Sequence, residues 1–85
     1  MAVTVLLPSL LASQAGGKDF ELEAATVGEA LRALPVADLL FDERGELRRL
    51  VNVYVDGRDM RAGEGLGTSL GGGEEIRLVA AVAGG

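Results

Sequence analysis

The stretch TVGEALRAL, residues 26–34, places apolar side chains at helical spacing in a chain whose other apolar runs mostly alternate. Val27, Ala30, Leu31 and Leu34 fall at i, i+3, i+4 and i+7 and form a single stripe. Thr26 and Glu29 have the spacing of a capping box, in which each side chain satisfies a backbone N–H of the other residue. Pro35 disfavours helical geometry at Leu34 and ends the element. One firm amphipathic helix among strands calls for a sheet that the helix can cover on one face.

The strands are legible by their period of two. In AVTVLL, Val3, Val5 and Leu7 share one face while Thr4 and Leu6 share the other, and Pro8 closes the run. PSLLASQAGG reads as a connecting loop, with Gly16-Gly17 turning into KDFELEA. There Phe20 and Leu22 point inward and Asp19, Glu21 and Glu23 outward, so the two strands read as a hairpin with a longish connection. PVADLLFDERG reads as a second, shorter helical segment stopped by Gly45, with Leu39 and Leu40 capping one end of the core.

VNVYV is a strong strand with Val51, Val53 and Val55 on one face and Asn52 and Tyr54 on the other. Asp56-Gly57 is a tight-turn signal, and RDMR returns as a short edge strand. AGEGLGTSLGGGEE is glycine-rich and loop-like, anchored by Leu66 and Leu70. In EIRLVAAV, Ile76, Leu78, Ala80 and Val82 face one way, and Arg77, Val79 and Ala81 the other. Strand, strand, helix, strand, short strand and final strand make a small α+β roll, in the β-grasp order.

The 85 residues of the chain, 1–85, allow one domain and leave no room for a second core. Hydrophobic residues supply 48% of it and aromatics only 4%, so the core is aliphatic. Cysteine, histidine and tryptophan are all absent. That excludes a disulfide framework, a thiol nucleophile and a Cys/His metal site. It also removes the usual general base near neutral pH, so the common catalytic constellations cannot be assembled and the chain does not read as an enzyme. Net charge is −5, from 13 acids and 8 bases, with Lys18 the only lysine. A nucleic-acid binder needs a basic face that such a balance does not offer. No stretch is long and apolar enough to span a bilayer, and the opening residues lack the basic start of a signal peptide. The expected setting is cytoplasmic.

The final residues VAAVAGG put two glycines directly behind an apolar strand. Glycine has no Cβ, so the pair makes a flexible tail thin enough for a narrow channel. Its terminal carboxylate is a poor electrophile until an oxygen becomes a good leaving group, as in an acyl-adenylate. Sulfide or a persulfide can then displace AMP and leave a thiocarboxylate, a way of holding sulfur that needs no cysteine. A frayed end is the simpler reading of a terminal di-glycine taken alone. The β-grasp order of strands in front of it is what favours the chemical one.

With VTVLLPSLL, GG at 16–17, LVNVYVDGRDMR, GLGTSL and GGGEEIRLVAAVAGG, nearly the whole chain resembles the ubiquitin-like sulfur-carrier proteins of the ThiS/MoaD type. These serve molybdopterin, thiamine and one route of cysteine synthesis, and the chain is most similar to the carriers of cysteine synthesis. The resemblance implies a β-grasp roll with its first and last strands paired. It implies that an E1-like adenylyltransferase/sulfurtransferase uses ATP to adenylate Gly85, with no cofactor bound by the chain itself. A sulfur-accepting biosynthetic enzyme would then take Val82, Ala83, Gly84 and Gly85 into its active site. The carrier would be a co-substrate, monomeric when free. Partners would dock on the open sheet face formed by Asn52, Tyr54, Arg77, Val79 and Ala81. Ala80-Ala81 stands where molybdopterin-type relatives often carry prolines, which places a molybdopterin-synthase small subunit second. A protein modifier forming isopeptide bonds through the same tail is the alternative from another class.

Three further features have plain readings. Arg48 and Arg49 in ERGELRR read as a solvated loop face in preference to a phosphate site. GLGTSLGGG lacks the lysine of a phosphate loop. DERGE has carboxylates without the ordered spacing of a cation site.

Overall fold

Val3 and Val5 are wholly buried on one face of strand β1 (Ala2–Leu6), as their alternation requires, and Leu7 continues the same face. The computed structural model describes residues 2–80. The segment after Pro8, read above as a loop, is a helix, α1 (Ser9–Ala15). Proline is tolerated at a helix start because the N–H it lacks would have no intrahelical partner there. Gly16 then ends the helix at φ 84°, and the N–H groups of Gly16 and Gly17 both donate to the Ala12 carbonyl, at 3.0 and 3.1 Å. Leu7, Leu11 and Ala15 recur at intervals of four and pack on the core. The two signals taken for loop punctuation are the two ends of this helix.

Strand β2 (Asp19–Glu23) runs antiparallel to β1, pairing Val3 with Leu22 and Val5 with Phe20. Helix α2 (Val27–Arg32) is the expected one, with Val27, Ala30 and Leu31 fully buried and Leu34 beyond its end nearly so. The Glu29 N–H donates to Thr26 Oγ1 at 3.2 Å, whereas the Glu29 carboxylate accepts from Ala25 N at 3.1 Å, one residue earlier than a strict capping box. The second helical segment is a single turn, α3 (Ala37–Leu40). Leu40 is buried, but Leu39 points outward and does not cap the core. Gly45 is not the stop of that turn. It sits at φ 79° in a separate tight loop, whose Asp42 N–H donates to the Glu46 carbonyl.

Strand β3 (Val51–Val55) buries Val51 and Val53 and turns at Asp56-Gly57, with φ 50° and 85°, into the two-residue strand β4 (Arg58–Asp59). Two short 3₁₀ turns, Met60–Ala62 and Gly65–Gly67, carry the chain past Leu66 and the buried Leu70. Strand β5 (Glu75–Ala80) then enters the middle of the sheet. The order is β2-β1-β5-β3-β4, with β5 parallel to β1 and antiparallel to β3. The first and last strands therefore pair, and the inward residues of the sheet form one core with α1, α2 and α3. Among the described residues no helix is long and apolar enough to cross a membrane.

Candidate functional site

Whatever the tail does, its root is the end of β5, and the neighbours of β5 decide what surrounds that root. Two devices set where β5 begins. Asp56, at the β3–β4 turn, accepts a hydrogen bond from Glu75 N at 2.9 Å through Oδ1, and its own N–H donates to the Glu75 carbonyl at 2.8 Å. In the preceding loop, Gly72 and Gly73 adopt φ of 112° and 84°. The Glu74 carboxylate closes this loop by accepting from Gly71 N and Gly72 N, both at 2.7 Å. The Gly71 N–H, the residue's own N–H and that of Gly72 hold the Glu74 carboxyl below the usual glutamate range.

The register then determines the open sheet face. Asn52 lies opposite Val79, and Tyr54 opposite Arg77, so four of the five residues expected there form two directly facing pairs. Ala81 lies outside the described residues, as do Val82, Ala83, Gly84 and Gly85. Val79 is 42% exposed and Arg77 is exposed, while Asn52 and Tyr54 are half-buried. Arg77 is within 3.4 Å of Glu75 two residues back on the same strand, a solvent-exposed pair that contributes little.

Two residues of this face went unassigned in the sequence. Leu6 of β1 is in register with Arg77 and extends the apolar part of the face toward β2. Its place followed from the alternation of β1, but only the parallel β1–β5 pairing sets it beside Arg77. Arg61 donates to Asn52 Oδ1 at 3.0 Å and to the Val51 carbonyl at 3.3 Å, which orients the Asn52 amide. Arg61 is itself positioned by the 3₁₀ turn, where its N–H donates to Asp59 Oδ1 at 2.9 Å. A chain position nine residues away offers no periodic signal for that contact.

The DERGE loop spends its first carboxylate on itself. Asp42 Oδ1 accepts from Arg44 N at 2.9 Å and from Glu46 N at 3.0 Å. The Glu46 N–H, then the Arg44 N–H and the Arg44 and Arg48 charges, hold this carboxyl below the usual aspartate range. Among the described residues no three acidic side chains converge closely enough to hold a metal ion. What the site offers is a strand end flanked by a mixed polar and apolar face, an arrangement suited to gripping a partner.

A mixed sheet of this order, with its first and last strands parallel at the centre and a principal helix across one face, is a ubiquitin-like β-grasp. The ThiS family model matches residues 5–85. The sulfur carrier protein CysO of Mycobacterium tuberculosis is 34% identical over 93 aligned residues, covering 100% of both chains. Among solved structures, SAMP1 from Haloferax volcanii superposes with a TM-score of 0.84 at 31% identity, covering 100% of each chain. CysO in the Amycolatopsis orientalis BexX/CysO complex gives 0.82 at 34% identity, covering 99% of this chain and 100% of that one. The chain belongs to the ThiS family of ubiquitin-like sulfur-carrier proteins.

Proposed function

We propose that this protein carries sulfur as a thiocarboxylate on Gly85. The observation that carries the reading is the family match, which runs through Gly84 and Gly85 rather than stopping at the folded strands. In the first step an E1-like adenylyltransferase/sulfurtransferase directs the Gly85 carboxylate onto the α-phosphorus of ATP, forming the acyl-adenylate and releasing pyrophosphate. Sulfide, or a persulfide followed by reduction, then displaces AMP from the carbonyl carbon and leaves the thiocarboxylate. ATP is the activating enzyme's substrate, so this chain needs no cofactor of its own, and the dependence on ATP suits a cytoplasmic protein.

A sulfur-accepting biosynthetic enzyme then takes Val82, Ala83, Gly84 and Gly85 into its active site, with the protein as co-substrate rather than catalyst. Full-length similarity to CysO supports an acceptor in cysteine synthesis, and the BexX/CysO complex supports a partner protein that binds such a carrier directly, which leaves room for a dedicated sulfur-containing metabolite as the product. The face bearing Asn52, Tyr54, Arg77, Val79 and Ala81 is the proposed docking surface for the acceptor enzyme. The 0.84 TM-score with SAMP1 supports a second reading, because its Methanosarcina acetivorans counterpart is a small archaeal modifier protein. The same adenylate would then meet a lysine amine, and an isopeptide bond would replace the thiocarboxylate.

Intact-protein mass spectrometry after incubation with ATP, a sulfide source and the activating enzyme tests this directly. The expected result is the mass gain of one oxygen exchanged for sulfur, lost when Gly85 is deleted and blocked by Gly84→Phe. Normal loading of Gly84→Phe would sink the narrow-channel argument. Isopeptide-linked conjugates in cells, without a thiocarboxylate, would favour the modifier.

A further inference from the structure

Of the four large hydrophobic side chains that the described residues leave exposed, three converge. Leu10 of α1 is 55% exposed, Leu39 of α3 is 43% and Leu50 before β3 is 49%. They line one groove of about 730 Å³ on the helix side of the sheet, together with Arg48, Arg49 and Ala80. Scattered exposed leucines need no explanation, but three around one concavity form a contiguous apolar patch of the kind that partners cover. Ala80 is the last described residue of β5, so the groove abuts the root of the tail on the face opposite Asn52, Tyr54, Arg77 and Val79.

Charge narrows the occupant. The chain carries net −5, yet this groove is edged by two adjacent arginines. Neither makes an ion pair with another described residue, although the Arg48 charge acts on Asp42. Asp42 also lines the groove, its Oδ1 held by the Arg44 and Glu46 backbone N–H groups, and its charge offsets part of that of Arg48, so Arg49 is the less compensated of the two. A partner matching this rim brings a carboxylate beside an apolar side chain.

The chemistry of the tail narrows it again, and here the inference rests on the sulfur-carrier reading. An acceptor enzyme can recognise the thiocarboxylate sulfur. The activating enzyme meets only a short tail of small residues and a carboxylate of the kind that ends every protein. Its selectivity must come from the surface of the folded domain. We infer that the groove between Leu10, Leu39 and Leu50 is a docking site for the activating enzyme, which inserts an apolar side chain there and sets a carboxylate against Arg49. The apolar insertion supplies affinity, and the arginine supplies orientation and speed of encounter.

The test is the steady-state rate of thiocarboxylate formation by the activating enzyme that loads the wild-type chain, measured against carrier concentration. Leu50→Asp and, separately, Arg49→Glu are compared with wild type, with thermal melts confirming that each folds. A charge in the groove is expected to raise KM at least about tenfold at unchanged kcat, the signature of lost ground-state binding. Arg49→Glu is expected to raise KM less and to flatten its dependence on salt. Both sites are exposed, and Arg49→Glu keeps the test open should Leu50→Asp fail to fold. Wild-type KM in the folded variants overturns the inference and leaves the carrier reading intact. Failure of the wild-type chain to load at all removes that reading, and the inference with it. A wild-type dimer dispersed by Leu50→Asp with KM unchanged would assign the groove to a second copy of the chain. A lowered melting temperature with KM unchanged would mean that Leu50 serves the fold and not a partner. Either result overturns the proposal.

Discussion

At Gly28 the absence of a side chain sets how close α2 lies to the rest of the molecule. A Cβ built there would stand 2.8 Å from an Arg32 guanidinium nitrogen and 3.2 Å from the Leu66 carbonyl oxygen. The guanidinium can swing away, but the carbonyl belongs to the backbone of the Gly65–Gly67 turn and cannot move without dragging the turn. That turn is held to the helix by the Val27 N–H, which donates to the Thr68 carbonyl at 3.1 Å. A glycine inside a helix costs about 0.5–1 kcal/mol relative to alanine, a cost offset here by close packing. Gly28→Val is therefore expected to destabilise the protein by about 1–3 kcal/mol, the range for overpacking, read from urea unfolding. An unchanged midpoint would mean that the turn yields freely.

At the scale of the element, the loop before β5 shows how a short irregular segment can position a strand. Gly72 and Gly73 supply positive φ, and the Glu74 carboxylate collects the backbone N–H groups that the turn leaves unpaired. Those bonds favour the charged carboxylate, so its folded pKa lies below the unfolded one. A depressed folded pKa contributes stability that is present above the unfolded value and lost as pH falls through the folded one. The melting temperature of the wild type is expected to fall as pH drops through the unfolded glutamate value of about 4.3 and below. Glu74→Gln is expected to melt lower at neutral pH and to show a shallower fall over that window. Parallel curves for the two proteins would remove Glu74 as a cause.

For the whole molecule the deciding feature is that β5, last in sequence among the strands, is central in space. It pairs with β1 on one side and β3 on the other, and Ile76 on its inner face is fully buried. A chain of 85 residues holds roughly 4–13 kcal/mol of folding stability at typical values per residue. Ile76→Ala is expected to remove about 2–5 kcal/mol of it, enough to bring a marginal domain close to its unfolding midpoint in mild urea. A loss under about 1 kcal/mol would mean that the site collapses around the smaller side chain.

Alternation in β1, β2, β3 and β5 and the 3.6-residue period of α2 were readable in the chain itself. Those patterns record which face each element must bury, and burial follows from residue type and spacing alone. They were enough to place Asn52 and Tyr54 on one outward face and Arg77 and Val79 on another. Helix α1 escaped because Pro8 and Gly16-Gly17 carry the same residues whether they interrupt a loop or bound a short helix. What separates the two cases is the packing of Leu11 on a core that the local sequence does not contain. Leu39 and Leu40 likewise look equivalent in sequence, and only the direction of a single helical turn sends one inward and the other out. The sequence by itself determined helix α2 and the main strands, with the face each one buries. The tertiary structure alone decided that Asn52 meets Val79, that Arg61 reaches Asn52, and that Leu10, Leu39 and Leu50, far apart in the chain, share one groove. Periodicity is a property of neighbours in sequence, whereas these contacts exist only once separate elements have packed against one another.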